Sequence, residues 1–128
     1  MSAEEFLEEA RRGLKRVSPH ELAGLSDALL VDIRPHHNRA EEGEIPGSIP
    51  VERIVLEWRL DPDGEHRIPG FTADTTVVVL CNEGYASSLA ARDLRRVGLP
   101  NATDLVGGFR AYAASGLPVR PGATQAVT

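Results

Sequence analysis

Two short stretches of the chain are apolar at almost every position rather than at alternate ones. Ala28–Ile33 (ALLVDI) is interrupted only by Asp32, and Thr75–Leu80 (TTVVVL) is uncharged and rich in β-branched residues. A strand with one face in water alternates apolar and polar side chains. A strand that is apolar throughout must be covered on both faces, which is the condition of a parallel sheet between helices. Ala102–Val106 reads as a weaker third strand and Ile49–Val51 as a shorter fourth. The 128 residues amount to one domain, long enough to bury about two-thirds of the surface its unfolded chain exposes.

Helical signals fall before and between these runs. Ser2–Leu14 carries Phe6, Leu7, Ala10 and Leu14 at helical spacing, with acidic residues in its first turn. Ser18-Pro19-His20-Glu21 is a helix start: a Ser cap, Pro at the first position and Glu three residues after the cap. Val55–Leu60 reads as a short helix stopped by the turn Asp61-Pro62-Asp63-Gly64. Ser87–Val97 is the clearest helix, with Leu89, Ala90, Leu94 and Val97 in one stripe and Gly98 at its end. Gly108–Ser115 is a further short one. Strands alternating with helices predict a small α/β domain over residues 17–120. Residues 1–16 form a helical extension. Residues 121–128 lack an apolar pattern and read as a mobile tail.

Charge and composition narrow the function classes. The net charge is −5 and no basic run occurs, which argues against nucleic acid or an anionic membrane surface as partner. The longest apolar run, Val77–Cys81, is far short of the roughly 20 residues of a membrane span. The opening MSAEEFLEEARR is acidic and amphipathic, unlike a secretory signal, so a cytoplasmic location is expected. A single cysteine makes neither an internal disulfide nor a Cys-rich zinc site. His36-His37 is read as part of an extended segment, where adjacent side chains face opposite ways and chelate poorly. His20 and His66 are read as exposed. No metal and no cofactor is expected.

The chemistry concentrates at the only thiol. The strand Thr75–Leu80 runs into Cys81-Asn82-Glu83-Gly84-Tyr85-Ala86-Ser87 and then into a helix. The carboxyl end of a buried parallel strand is where α/β sheets place their ligands. Gly84 can take a positive φ, and Ser87 is a candidate N-cap. A loop of this kind can turn successive N–H groups towards the sulfur, backed by the positive end of the helix dipole. Such surroundings favour a thiolate, which is the nucleophile, and would also hold a persulfide anion. The opposing reading is a buried cysteine that closes a Val-rich strand and serves only as core. Spacing alone leaves the two open.

Cys81-Asn82-Glu83-Gly84-Tyr85-Ala86-Ser87 resembles the active-site loop of rhodanese-homology domains. Three further segments agree in the family's order. Leu30-Val31-Asp32-Ile33-Arg34 resembles its Asp-x-Arg signature. Gly43-Glu44-Ile45-Pro46-Gly47-Ser48-Ile49 resembles its Gly-His-Ile-Pro-Gly-Ala segment. Val106-Gly107-Gly108-Phe109-Arg110-Ala111-Tyr112, followed by Gly116-Leu117-Pro118, resembles its closing element. The resemblance implies a mostly parallel five-stranded sheet wrapped by helices. It implies a sulfurtransferase in which Cys81 carries sulfane sulfur as a persulfide, from a donor such as thiosulfate or another persulfide to a thiol or cyanide. The amides of Asn82, Glu83, Gly84, Tyr85, Ala86 and Ser87 would form the cradle. Asp32 and Arg34 match the pair that braces the active-site side of the sheet.

Two departures from the family pattern matter. Glu44 stands where the family commonly has His, which bears on local packing. The loop has no basic residue and carries Glu83, which should repel a dianionic donor and disfavour thiosulfate relative to a small-molecule or protein persulfide. Arg53 and Arg59 lie in the segment that the resemblance brings to the rim, and they are candidates to restore positive charge. Trp58 is assigned to the core. Asp32 in a buried run requires partners, with Arg34 or backbone amides as candidates.

Two other function classes are compatible with a cysteine in such a loop. A phosphatase of the type sharing this fold resembles Cys-x5-Arg, but here the sixth position after Cys81 is Ser87, which lacks the bidentate phosphate clamp. A non-catalytic binding or regulatory module is the alternative reading. Gly107-Gly108 lacks the spacing of a phosphate loop and reads as a strand-to-helix turn. A monomer is the default expectation.

Overall fold

The computed structural model describes residues 1–128. Four parallel strands form one sheet: β1 (Leu29–Asp32), β2 (Ile49–Pro50), β3 (Val77–Leu80) and β4 (Thr103–Asp104), in the order β2-β1-β3-β4. The helices are α1 (Ala3–Arg11), α2 (Pro19–Ala23), α3 (His36–Glu42), α4 (Leu56–Arg59), α5 (Ala86–Arg96) and α6 (Gly108–Ala114), with a 3-10 turn at Arg53–Val55. No helix is long and apolar enough to cross a membrane.

The all-apolar runs behave as their composition requires. Every residue of β3 is buried, and successive side chains enter opposite layers. Val77, Val79 and Cys81 join a core with Leu56, Leu60, Ala90, Ala91 and Leu94. Val78 and Leu80 join a second core with Leu22, Leu105, Phe109 and Tyr112. Helices α4 and α5 therefore cover one face of the sheet, and α2 and α6 the other. This arrangement leaves the carboxyl ends of the central strands β1 and β3 side by side, with Asp32 opposite Leu80 in register.

The sheet has four strands where five were expected. At the position of the fifth, Val17 makes a single parallel bridge to Leu105, and Val106 donates its N–H to the Val17 carbonyl at 2.8 Å. Ser18 caps α2 immediately afterwards through a reciprocal pair with Glu21, and Pro19 has no N–H to extend a ladder. The pairing stops after one residue for that reason.

Other expectations need correction. Trp58 is 61% exposed, because a one-turn helix buries one face and Leu56 and Leu60 occupy it. His36 and His37 open α3 instead of lying on an extended segment, and His37 faces Glu41 one turn on. No group of three or more His, Cys, Asp or Glu side chains converges. Ser87 is not a helix cap. Tyr85 occupies that position without a side-chain bond, and Ser87 is buried in the first turn. The segment read as a mobile tail returns to the domain. Thr124 hydrogen-bonds Glu44 through its N–H and its hydroxyl, and Val127 bridges to Val51. Apolar patterning does not register these contacts, because most are made by backbone and polar groups.

Candidate active site

Cys81 directly follows β3 and is 9% exposed. Its Sγ accepts the Gly84 N–H at 3.2 Å and the Ser87 N–H at 3.4 Å. Two of the six expected amides thus point at the sulfur. Gly84 makes this possible with φ +88°, a region where side chains are strained. The loop rests on the start of α6. Phe109 and Arg110 donate their N–H groups to the carbonyls of Cys81 and Asn82 at 2.9 and 3.1 Å. A Cβ on Gly108 would sit 2.5 Å from the Cys81 carbonyl oxygen, so the glycine pair after β4 is what lets α6 approach this closely.

Behind the sulfur lies a buried polar network centred on Asp104. The Cys81 thiol donates to Ser87 Oγ at 3.3 Å, and Ser87 Oγ donates to Asp104 Oδ2 at 2.8 Å. Ser88 Oγ donates to the same oxygen at 2.7 Å. Asp104 is completely buried and is balanced by Arg16, whose Nε donates to Oδ1 at 2.8 Å and whose Nη2 donates to Oδ2 at 3.2 Å. Such bidentate, charge-assisted pairs are what a buried carboxylate requires. Sequence reasoning did not single out Asp104 or Arg16. One signal was present, since Asp104 interrupts an apolar strand as Asp32 does.

Asp32 and Arg34 form a second buried pair beside the loop. Arg34 Nη2 donates to Asp32 Oδ2 at 2.8 Å, and the same group donates to the Gly43 carbonyl at 2.8 Å. Its Nη1 reaches Asn82 Oδ1 at 3.5 Å, and the guanidinium stacks 4.0 Å from the centre of the Phe109 ring. Arg34 is therefore the contact between the end of β1 and the cysteine loop.

The front of the loop carries three charged groups. Arg110 pairs with Glu83 and donates to Glu42 Oε1 at 3.1 Å. Glu42 also accepts from Asn82 Nδ2 at 3.0 Å. Hydrogen bonds from Arg110 and then Asn82 outweigh desolvation and hold the Glu42 carboxyl down at about 2. Glu83 is thus not alone: one guanidinium from α6 is shared between two carboxylates, and the rim keeps one net negative charge.

The two arginines expected at the rim are engaged elsewhere. Arg53 lines a cavity of about 640 Å³ together with Arg34, but its guanidinium is held by Glu57 at 2.9 Å and Asp93 at 3.0 Å. Arg59 donates to the carbonyls of Thr128 at 2.7 Å and His66 at 2.9 Å. Neither guanidinium bonds to the loop. Besides Arg34 and Arg110, which meet the side chains of Asn82 and Glu83, the loop is bonded by Arg11 and Arg16, from the chain ahead of α2, and these two hold its backbone. Arg11 Nη2 and Arg16 Nη2 donate to the Gly84 carbonyl at 2.8 and 3.1 Å. No local pattern marks them, since 68 or more residues separate them from Gly84.

Glu44, the residue standing in place of His, is fully buried with Arg39. Its Oε2 accepts from Arg39 Nη1 at 2.9 Å, and its Oε1 accepts from the Thr124 hydroxyl at 2.7 Å and from Arg120 Nε at 3.3 Å. Burial by itself would raise its carboxyl. Thr124, Arg39 and the charge of Arg120 together outweigh burial and hold it at about 2.

The family model described as Rhodanese-like domain matches residues 18–115. A sulfurtransferase of Allochromatium vinosum is 36% identical over 98 residues, covering 77% of this chain and 83% of that protein. An adenylyltransferase and sulfurtransferase of Candida glabrata is 34% identical over 93 residues, covering 68% of this chain. This chain spans about a fifth of that longer relative, 21% of its length. Among solved structures, a Rhodopseudomonas palustris protein of unknown function, named as a possible tyrosine phosphatase, superposes with a TM-score of 0.84. It is 30% identical, and the match covers 94% of this chain and 95% of that one.

Proposed function

This chain belongs to the rhodanese-like domain family, and on that premise we propose that it is a sulfurtransferase whose sulfur carrier is Cys81. The observation that carries the reading is the cradle: Sγ receives the N–H groups of Gly84 and Ser87, at the end of a rigid buried strand. Backbone donors fixed in place stabilise charge on sulfur without reorganising. The only side chain bonded to Sγ is Ser87, so the chemistry relies on the thiolate and not on an adjacent base.

The sulfur atom moves in two displacements. The Cys81 thiolate attacks the sulfane sulfur of a persulfide RSSH. The new S–S bond forms as the old one breaks, leaving RS⁻, which takes the persulfide proton to give Cys81–S–S⁻ and RSH. An acceptor thiolate or cyanide then attacks the outer sulfur and releases the Cys81 thiolate, forming the acceptor persulfide or thiocyanate. Thiosulfate can serve the first step with sulfite leaving, but it must bring two negative charges to a rim that already has one in excess. A persulfide, on a small thiol or on a protein, is the favoured donor.

The name of the Rhodopseudomonas relative raises a phosphatase reading. Nothing in this loop favours it. The position of a clamping arginine is held by Ser87, whose hydroxyl is committed to Asp104, and Arg110 is committed to two carboxylates.

Intact mass after incubation with thiosulfate, and separately with a persulfide donor, tests the proposal in wild type and Cys81→Ser. A gain of about 32 Da on the wild type alone, reversed by cyanide, is the expected result. A folded protein with an alkylatable Cys81 that gains no sulfur from either donor would refute it and leave a binding module.

A further inference from the structure

Residues ahead of Ser18 lie outside the matched domain, yet they supply the two guanidiniums that bond the backbone of the cysteine loop. We propose that Arg11 and Arg16 are positioning residues for the sulfur carrier, and that the N-terminal segment is therefore part of the active site. This inference rests on the sulfurtransferase reading of Cys81.

Gly84 is gripped from both sides. Its N–H points at Cys81 Sγ, and its carbonyl accepts from both guanidiniums. Fixing the carbonyl fixes the orientation of the residue that presents the N–H, in a backbone region where glycine otherwise has most freedom. Arg11 Nε also donates to Ser88 Oγ at 3.0 Å, and Ser88 shares Asp104 with Ser87 and Arg16. The cluster of Arg11, Arg16 and Asp104 carries one net positive charge behind the sulfur. The cluster of Glu42, Glu83 and Arg110 carries one net negative charge in front of it. Positive charge behind the carrier stabilises negative charge that develops on sulfur during the displacement, while the front discourages dianions.

The segment is anchored well enough to hold this geometry. Ala10 is buried, and Phe6 lies under Arg92 of α5 with the guanidinium 5.0 Å from the ring centre. Arg95 bonds the Gly13 carbonyl. The Val17 bridge to Leu105 places Arg16 beside Asp104. Ser2 caps α1 through a reciprocal pair with Glu5.

The test is the rate of Cys81 alkylation by neutral iodoacetamide across pH, on the full chain, in wild type, Arg11→Ala, Arg11→Lys and Arg16→Lys. Arg16→Ala is avoided because it strands the buried Asp104 charge and endangers folding. Arg11→Ala removes no counter-ion of a buried group. It is expected to slow alkylation at neutral pH by about threefold to tenfold and to move the pH profile upward. Arg11→Lys, which keeps the charge, is expected to recover at least half of the loss. Superimposable profiles for wild type, Arg11→Ala and Arg16→Lys would overturn the inference, as would an Arg11→Lys protein no faster than Arg11→Ala. Sulfur loading of the wild type separates the two ideas. A wild type that takes up no sulfur defeats the sulfurtransferase reading. A wild type that loads normally, beside an Arg11→Ala variant with unchanged reactivity, defeats this inference alone.

Discussion

Glu44→Gln removes one charge from the middle of a buried network and nearly preserves its shape. In the native protein Glu44 has no exposure and accepts from Arg39, Arg120 and both donors of Thr124. Its carboxyl is held at about 2 against an ordinary 4.5. That depression is worth roughly 3 kcal/mol of stability at neutral pH. The sign follows from the direction. The folded protein prefers the ionised form, so the contribution is complete above the unfolded value and fades as pH falls from 4.5 towards 2. Gln supplies no negative charge and leaves Arg39, itself 1% exposed, without its counter-ion. The variant is therefore expected to lose roughly 3 kcal/mol of unfolding free energy at pH 7, and the gap to wild type should narrow to roughly half by pH 3. Urea unfolding of both proteins at the two pH values measures this, since the other carboxylates titrate alike in each and cancel. A cost below about 1 kcal/mol at pH 7, or a gap that stays constant down to pH 3, would refute the reasoning.

Two further outcomes concern the loop. Gly84→Ala places a Cβ 2.8 Å from the Gly107 nitrogen at φ +88°, so it should destabilise by about 1–2 kcal/mol from the backbone conformation alone. It should also slow sulfur loading by displacing the N–H from Sγ, which melting curves and loading rates on one sample would show together. Glu83→Gln removes half of the carboxylate pair that holds Arg110. Thiosulfate loading should rise about twofold to fivefold at low ionic strength, an advantage that shrinks with salt, while loading from a neutral persulfide stays level.

Much of the architecture is legible in one dimension because burial and periodicity are local. The uninterrupted apolar run at β3 could only be covered on both faces, and its two cores confirm the alternation. The Ser18–Glu21 capping box is spelled out in four residues. Trp58 is exposed against expectation because the pattern over Val55–Leu60 does not say which face of a single turn is inside. The segment of Arg53 and Arg59 suggests the rim, but Arg53 pairs with Glu57 and Asp93, and Arg59 bonds the carbonyls of His66 and Thr128.

The sequence by itself determined the layered α/β arrangement, the place of the sole cysteine at a strand end and the glycine that lets the following loop turn inward. Those features depend on apolar spacing and backbone freedom, which neighbouring residues encode. The tertiary structure alone decided which charges surround the sulfur. Arg11, Arg16 and Asp104 meet behind Ser87, and Glu42, Glu83 and Arg110 meet in front of it. A charged side chain takes the partner that desolvation leaves within reach, and that partner is set by how helices and strands pack, not by their order along the chain.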